Sequence, residues 1–115
     1  MASMQLVGPY RICFDDINDH VRPDVPGVFA LGYGGARDTF FVNYIGRSDS
    51  DLRARLMDCI GSDALFKFEV SISSRAAFLR ECELFHTFRP RGNRLHPARP
   101  RGADWTCPRC GFLDL

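Results

Sequence analysis

The sequence lacks any long apolar run. No stretch of its 115 residues approaches the roughly 20 apolar residues that a helix needs to cross a bilayer. Residues 1–9 also lack the basic region and long apolar segment of a secretory signal, and no internal repeat is present. From these absences we expect a soluble, cytoplasmic protein, long enough for one domain with a modest core and too short for two.

The sequence also lacks a disulfide pattern. Its cysteines are odd in number and irregularly spaced, which argues against a disulfide framework in a chain without a secretory signal. We therefore expect any cysteines that cluster to bind a metal instead. The five cysteines are Cys13, Cys59, Cys82, Cys107 and Cys110.

Net charge gives no overall sign of a nucleic-acid partner, because the formal charge is only +1. The charge is nevertheless uneven. Residues 89–109, called the basic arm below, contain six arginines and one acid, Asp104. On charge alone, a segment that contacts nucleic acid and a solvated, proline-bearing tail explain this arm equally well.

Residue patterns predict an α+β domain over residues 26–93. Two runs rich in β-branched and aromatic residues, 27–32 and 39–45, predict a β-hairpin. Apolar and polar residues alternate over residues 66–72, which predicts a third, half-buried strand.

Two helices are predicted around the third strand. Capping and acidic residues after Gly46 favour a helix from about Ser48 to Ile60. Ser73 or Ser74 can cap a second helix that continues through Phe88 and ends there, since the next residue precedes a proline.

Two flanking segments complete the chain. Residues 1–25 are predicted to form an N-terminal extension with a short strand or helix over residues 10–17. Residues 94–115 are predicted to form an Arg-rich tail that contains a Cys-x-x-Cys motif. Such a tail is ordered only if something fixes it to the domain.

The second predicted helix carries a carboxylate, Glu81, in the middle of its apolar face. An unpaired buried charge is costly, so Glu81 must meet a cation, a metal or a cleft, and a structural ion pair is the alternative to a functional role. On the first helix, Arg55 lies beside Leu52 and Cys59, although a lone arginine there commonly extends to solvent. The apolar residues within about 60° of Glu81 on a helical wheel are Ala77, Phe78, Leu84, Phe85 and Phe88.

These two charges and the end of the predicted hairpin together provide the groups needed for phosphodiester hydrolysis. A carboxylate such as Glu81 can hold a divalent metal against a phosphate oxygen. An arginine such as Arg55 can bind the phosphate through two hydrogen bonds. A tyrosine such as Tyr44, next to Arg47 in the hairpin, can orient or deprotonate a water molecule.

The order and spacing of short motifs over residues 27–93 resemble those of the GIY-YIG nuclease superfamily. The segment from Glu81 to Asn93 is especially similar to the nuclease domain of the bacterial excision-repair endonucleases. The motifs are Gly27-Val28-Phe29, Tyr44-Ile45-Gly46-Arg47, Leu52-x-x-Arg55-Leu56, Glu81-x-x-Leu84 and Phe88-Arg89-Pro90-x-x-Asn93.

The resemblance implies a three-stranded antiparallel sheet flanked by helices. It also implies that Glu81 ligates a catalytic Mg²⁺ or Mn²⁺, that Arg55 stabilises the phosphate, that Tyr44 acts on the nucleophilic water and that Asn93 supports the site. Arg47 stands where some relatives carry a lysine, which keeps the charge but not the shape. Phe29 stands where the family has its first tyrosine. Either Tyr44 alone activates the water, or a second hydroxyl such as that of Tyr33 contributes, or catalysis is weakened or absent.

The Cys-x-x-Cys motif of the tail predicts a second, structural metal. Cys107 and Cys110 supply two ligands, and Cys82 and His86 share one flank of the second predicted helix. These four residues form a Cys₃His set suited to zinc, which would give the fold a zinc-stapled C-terminal tail. His96 is the competing ligand and can replace Cys82. The alternative without metal is a buried Cys82 and a free or redox-active pair of thiols.

Two functions follow from these predictions. The first is a metal-dependent endonuclease that hydrolyses phosphodiester bonds of DNA in repair, restriction or mobile-element processing. The second is a non-catalytic, zinc-stabilised module of the same fold that binds nucleic acid or another protein. Because so small a chain offers little surface for reading bases, we expect weak specificity, a branched or damaged substrate, or a partner subunit or second copy.

Overall fold

The computed structural model describes residues 6–110. Residues 1–5 of the predicted extension and residues 111–115 of the predicted tail lie outside this range. The described chain has an α+β architecture, which confirms the predicted class. Its elements are strand β1 (Val7–Arg11), helix α1 (Phe14–His20), strand β2 (Gly27–Gly34), a 3₁₀ turn (Ala36–Asp38), strand β3 (Phe40–Ser48), helix α2 (Leu52–Met57), strand β4 (Leu65–Val70) and helix α3 (Ser74–Phe88).

The described strands form one antiparallel sheet in the order β1-β4-β2-β3. The sheet is therefore four-stranded, and the predicted count of three is wrong. The additional strand, β1, is short, contains Pro9 and lies at one edge, where a proline is tolerated because no second neighbour needs its N–H. Because β1 is short and contains a proline, its sequence shows no alternation of apolar and polar residues that would predict a strand. Helix α1 also joins the core, because Ile17 is fully buried.

The helix bounds follow from capping residues. The side chain of Ser73 accepts a hydrogen bond from the Ala76 N–H at 3.0 Å, so α3 begins where predicted, and it ends at Phe88 because Arg89 adopts a left-handed conformation. Helix α2 is shorter than predicted. Its cap is Asp51, whose side chain accepts from the Ala54 N–H at 3.1 Å.

The sheet separates two apolar layers. Helices α1 and α2 cover one face, which contains Phe29 and Leu31 of β2 together with Leu52 and Leu56 of α2. Helix α3 covers the opposite face through Ala77 and Leu84, packed against Val28, Ala30 and Ile45. Strand β3 lies at the edge of the sheet, so the two faces meet along its outer side.

Residues 89–110, all within the described range, contain no helix or strand. They begin along the outer edge of β3, where the Gly92 N–H donates to the Asn43 carbonyl at 2.6 Å. Further along, Trp105 packs against Phe78 of α3, with ring centroids 5.8 Å apart. Among the described helices, none combines the length and apolar character of a membrane span.

Candidate active site

Two adjoining clefts open at the outer edge of β3. One, of about 380 Å³, is lined by Tyr44 and by Arg55 of α2. The other, of about 420 Å³, is lined by Tyr44, by Glu81 of α3 and by residues 92–98, called the edge segment below. Tyr44 and Gly92 line both clefts, so the two openings share a border at Tyr44.

On the α2 side, Tyr44 and Arg55 lie near Phe29. The rings of Tyr44 and Phe29 are 6.2 Å apart, and the Arg55 guanidinium carbon lies 5.4 Å from the centre of the Phe29 ring. Arg55 Nη1 also donates to Cys59 Sγ at 3.4 Å. Within residues 6–110, no carboxylate forms an ion pair with Arg55. Asp58 and Asp63 also line this cleft, but neither forms an ion pair with Arg55, so the guanidinium can still bind an anion that enters.

Gly46 makes the close approach of these rings possible. A Cβ atom at this position would lie 2.4 Å from Cζ of Phe29 and 2.9 Å from Cε2 of Tyr44. Both distances are far below van der Waals contact, so a larger residue would displace one of the aromatic rings. The glycine of the Tyr-Ile-Gly motif thus has a packing role here.

On the α3 side, Glu81 is 7% exposed and forms an ion pair with Arg47. Arg47 Nη1 donates to Glu81 Oε1 at 2.6 Å, and Arg47 Nε donates to Asp49 Oδ1 at 2.8 Å. Burial raises the pKa of Glu81, and the positive charge of Arg47 opposes this rise without cancelling it. The structure thus gives Glu81 both a cation and a cleft, and the ion pair anticipated as an alternative is present.

Asn93 binds the backbone of β3 rather than facing a reacting group. Its Oδ1 accepts from the Ile45 N–H and its Nδ2 donates to the Ile45 carbonyl, each at 2.8 Å. With the bond from Gly92 to Asn43, these contacts attach the edge segment to the outer strand. The side chain of Asn93 therefore fixes one wall of the Glu81 cleft.

Asp49 is a member of the site that the sequence did not single out. It was interpreted as an acid at the start of a helix, yet it accepts from Arg47 and from the Ser74 hydroxyl, the latter at 3.0 Å. The available signal was that Asp49 follows Arg47 by two residues at the end of β3, close enough in the chain for the two side chains to meet.

A group of potential metal ligands lies beside the Glu81 cleft. The ligand atoms of its four residues all lie within 4.8 Å of one another, so the group could hold a metal ion. Its members are His86, His96, Cys107 and Cys110.

The group contains His96, the competing ligand of the sequence analysis, in place of Cys82. Cys82 is fully buried and packs with Phe78 and Cys107. Cys107 is buried as well, and burial alone would raise the pKa of its thiol. Hydrogen bonds from the Cys110 and Arg109 backbone outweigh this effect and lower the pKa to about 7.

No protein-family model matches the chain, and no curated protein matches it in sequence. A search of solved structures finds the GIY-YIG N-terminal endonuclease domain of UvrC from Thermotoga maritima, bound to its catalytic divalent cation, magnesium. The TM-score is 0.50 and the identity 24%, and the match covers 70% of this chain and 99% of that domain. The described chain therefore has a GIY-YIG nuclease-like fold, as its motifs predicted.

Proposed function

We propose that this chain is a metal-dependent endonuclease that hydrolyses phosphodiester bonds of DNA. The observation that carries the proposal is the pair of clefts that meet at Tyr44 in a GIY-YIG-like fold. One cleft contains Arg55, which has no ion-pair partner among residues 6–110, and the other contains the carboxylate of Glu81. Arginine, tyrosine and a carboxylate are sufficient for hydrolysis of a phosphate ester when a divalent ion is bound.

Arg55 binds the scissile phosphate in this proposal. Arg55 lines the cleft, and no carboxylate within the described chain forms an ion pair with it. The planar guanidinium can donate two parallel hydrogen bonds to phosphate oxygens. Contact with the Phe29 ring holds the arginine in place while leaving its charge intact.

Tyr44 orients the attacking water. Tyr44 lines both clefts, so it lies between the residue proposed to bind phosphate and the carboxylate. A phenol can both donate and accept a hydrogen bond, which suits a group that positions water and transfers a proton. Phe29, which has no hydroxyl, supports Arg55 and Tyr44 by packing alone.

Glu81 is the residue that would hold Mg²⁺ or Mn²⁺. Mg²⁺ retains several waters and needs only one or two protein carboxylates, so a single carboxylate at the wall of an open cleft fits it. Arg47 donates to Oε1 and so holds the carboxylate in one orientation. When bound, such an ion polarises a phosphoryl oxygen and offsets the negative charge that develops during hydrolysis.

The basic arm supplies contacts to the phosphate backbone in this proposal. Five of its six arginines are exposed, and Arg94 lines the Glu81 cleft. Contacts of this kind provide affinity and register without reading bases. The exposed arginines are Arg89, Arg91, Arg94, Arg101 and Arg109.

The test is incubation of supercoiled plasmid with the full chain in Mg²⁺, in Mn²⁺ and with a chelator. We expect nicked circles in either metal and none with the chelator. An RNA of matched length, run in parallel, shows whether cleavage is restricted to DNA. Intact plasmid under every condition would reject the proposal.

A second function, nucleic-acid binding without cleavage, is favoured by two observations. Phe29 removes a hydroxyl from the site, and Arg47 already occupies one oxygen of Glu81. A gel-shift measurement on the same plasmid samples distinguishes the two functions, because this module would retard DNA in the chelator and leave it intact in either metal.

A further inference from the structure

The His and Cys group next to the edge segment comes from three separate parts of the chain. His86 lies near the C-terminal end of α3, His96 lies in the edge segment, and Cys107 and Cys110 follow in the Cys-x-x-Cys turn. Residues so far apart in sequence come together only because the basic arm folds back onto α3. This convergence of nitrogen and sulfur ligands requires an explanation.

The distances within the group are those of a metal site. The Nε2 atoms of His86 and His96 are 3.2 Å apart, and His96 Nε2 is 3.5 Å from Cys110 Sγ. Around a tetrahedral zinc ion, usual bond lengths place two nitrogens about 3.4 Å apart and a nitrogen and a sulfur about 3.6 Å apart. These two distances thus match those between corners of a zinc tetrahedron, and all four ligand atoms lie within 4.8 Å of one another.

Hydrogen bonding alone explains this arrangement less well. Nδ1 of His96 lies 2.9 Å from the Pro97 carbonyl, which can only accept, so Nδ1 carries the ring proton. His96 Nε2 then offers a single lone pair, toward which both His86 and Cys110 converge. One lone pair cannot accept two good hydrogen bonds at once. A metal cation at the centre of the group can instead be bound by all four residues. A carbonyl that orients a ligating histidine is also a common feature of metal sites.

We propose that His86, His96, Cys107 and Cys110 bind one structural zinc ion. Two nitrogens and two sulfurs match the ligand preference of zinc, and not that of Mg²⁺, which favours oxygen. Four protein ligands fill the tetrahedron and leave no position for a substrate, so the ion has a structural role. Cys82, buried beside Cys107, supports a ligand rather than acting as one.

The zinc ion also fixes one wall of the Glu81 cleft. The edge segment is attached to β3 at Asn93 and would be attached to α3 through His96, while Arg94 and Pro97 line the cleft. The metal site itself does not depend on the proposed nuclease activity. Only the effect of zinc on cleavage rests on that function.

Zinc content of the purified full chain is the first measurement. We expect one zinc per chain, lost in Cys107→Ser and His96→Ala and retained in Cys82→Ala, the control. Retention in His96→Ala together with loss in Cys82→Ala would overturn the ligand set. Because a variant can fail to fold, replacement of zinc by Co²⁺ in the unmodified chain is the second measurement. Intense visible bands of tetrahedral Co²⁺ with two thiolates are expected, and absence of both metals overturns the proposal.

Hydrogen exchange tests the cleft wall without relying on cleavage. After the zinc is removed with a chelator, the amides of residues 92–98 should exchange at least tenfold faster, while those of β2 should change little. Unchanged exchange in the edge segment of the metal-free protein would contradict the link between the ion and the cleft.

Discussion

The two faces of the sheet hold their charged residues in different ways. On the α3 face, Arg47 and Glu81 form a nearly buried ion pair, and Asp49 further neutralises the arginine. On the α2 face, Arg55 lies over an aromatic ring and beside a thiol, without a carboxylate partner among the described residues. The two faces share Tyr44 at the edge of the sheet.

This difference distinguishes Arg47, whose charge is used in an ion pair within the protein, from Arg55, whose charge can bind a phosphate. A buried carboxylate needs a cation in order to remain ionised, so Arg47 is committed to Glu81. Arg55 forms no ion pair within the described chain, so its guanidinium can bind an anion that enters from solvent. Substitutions on the α2 face are therefore expected to affect catalysis, and those on the α3 face to affect stability as well.

A large loss of cleavage is expected for Arg55→Ala. Removal of the phosphate-binding guanidinium should lower the cleavage rate at saturating DNA by about a hundredfold to a thousandfold, the usual cost of losing one charge-stabilising donor. Arg75→Ala, an exposed arginine on α3, is the matched control and should cleave at the normal rate. Equal rates for the two variants would remove Arg55 from the site.

A stability effect of about 3 kcal/mol is expected for Arg47→Ala, because it leaves Glu81 buried without its cation. Urea unfolding followed by circular dichroism measures the change. Adding Glu81→Gln to this variant should recover part of the loss, since the unpaired charge is then absent. A double variant less stable than Arg47→Ala would show that the ion pair is not the reason.

The smallest effect is expected for Phe29→Tyr. Phe29 is fully buried, and its ring edge already abuts Gly46, so an added hydroxyl finds little room near the cleft. The cleavage rate should change by less than about threefold, whereas Tyr44→Phe should lower it by about a hundredfold or more, as loss of a positioned acid-base group does. A large increase in the cleavage rate of Phe29→Tyr would show that the unmodified chain lacks a hydroxyl needed for catalysis on the α2 face.

The sequence was most informative where local chemistry decides structure. The hairpin, the alternation that marks β4 and the capping serine of α3 depend on residues close together in the chain. Glu81 could also be identified from the sequence, because a helical wheel places its carboxylate in the middle of an apolar stripe. These local signals led to the fold that the comparison with solved structures confirms.

Contacts between distant parts of the chain could not be predicted in the same way. Helical spacing placed Cys82 and His86 on one flank of α3, but spacing does not show how deeply a side chain is buried. Cys82 lies in the interior beside Cys107. The position of His96 depends on how the edge segment crosses β3, which the bonds of Asn93 determine. Strand β1 likewise forms only because β4 offers it an edge.

Nicking of supercoiled DNA by Glu81→Gln tests the central claim most directly. The substitution keeps the size of the side chain and removes the charge that would hold the divalent ion. Glu83→Gln, on the same helix and paired with Arg80, is the control. With both variants folded by circular dichroism, we expect metal-dependent nicking by the parent chain and by Glu83→Gln and none by Glu81→Gln. Nicking by Glu81→Gln at the parent rate would contradict the account.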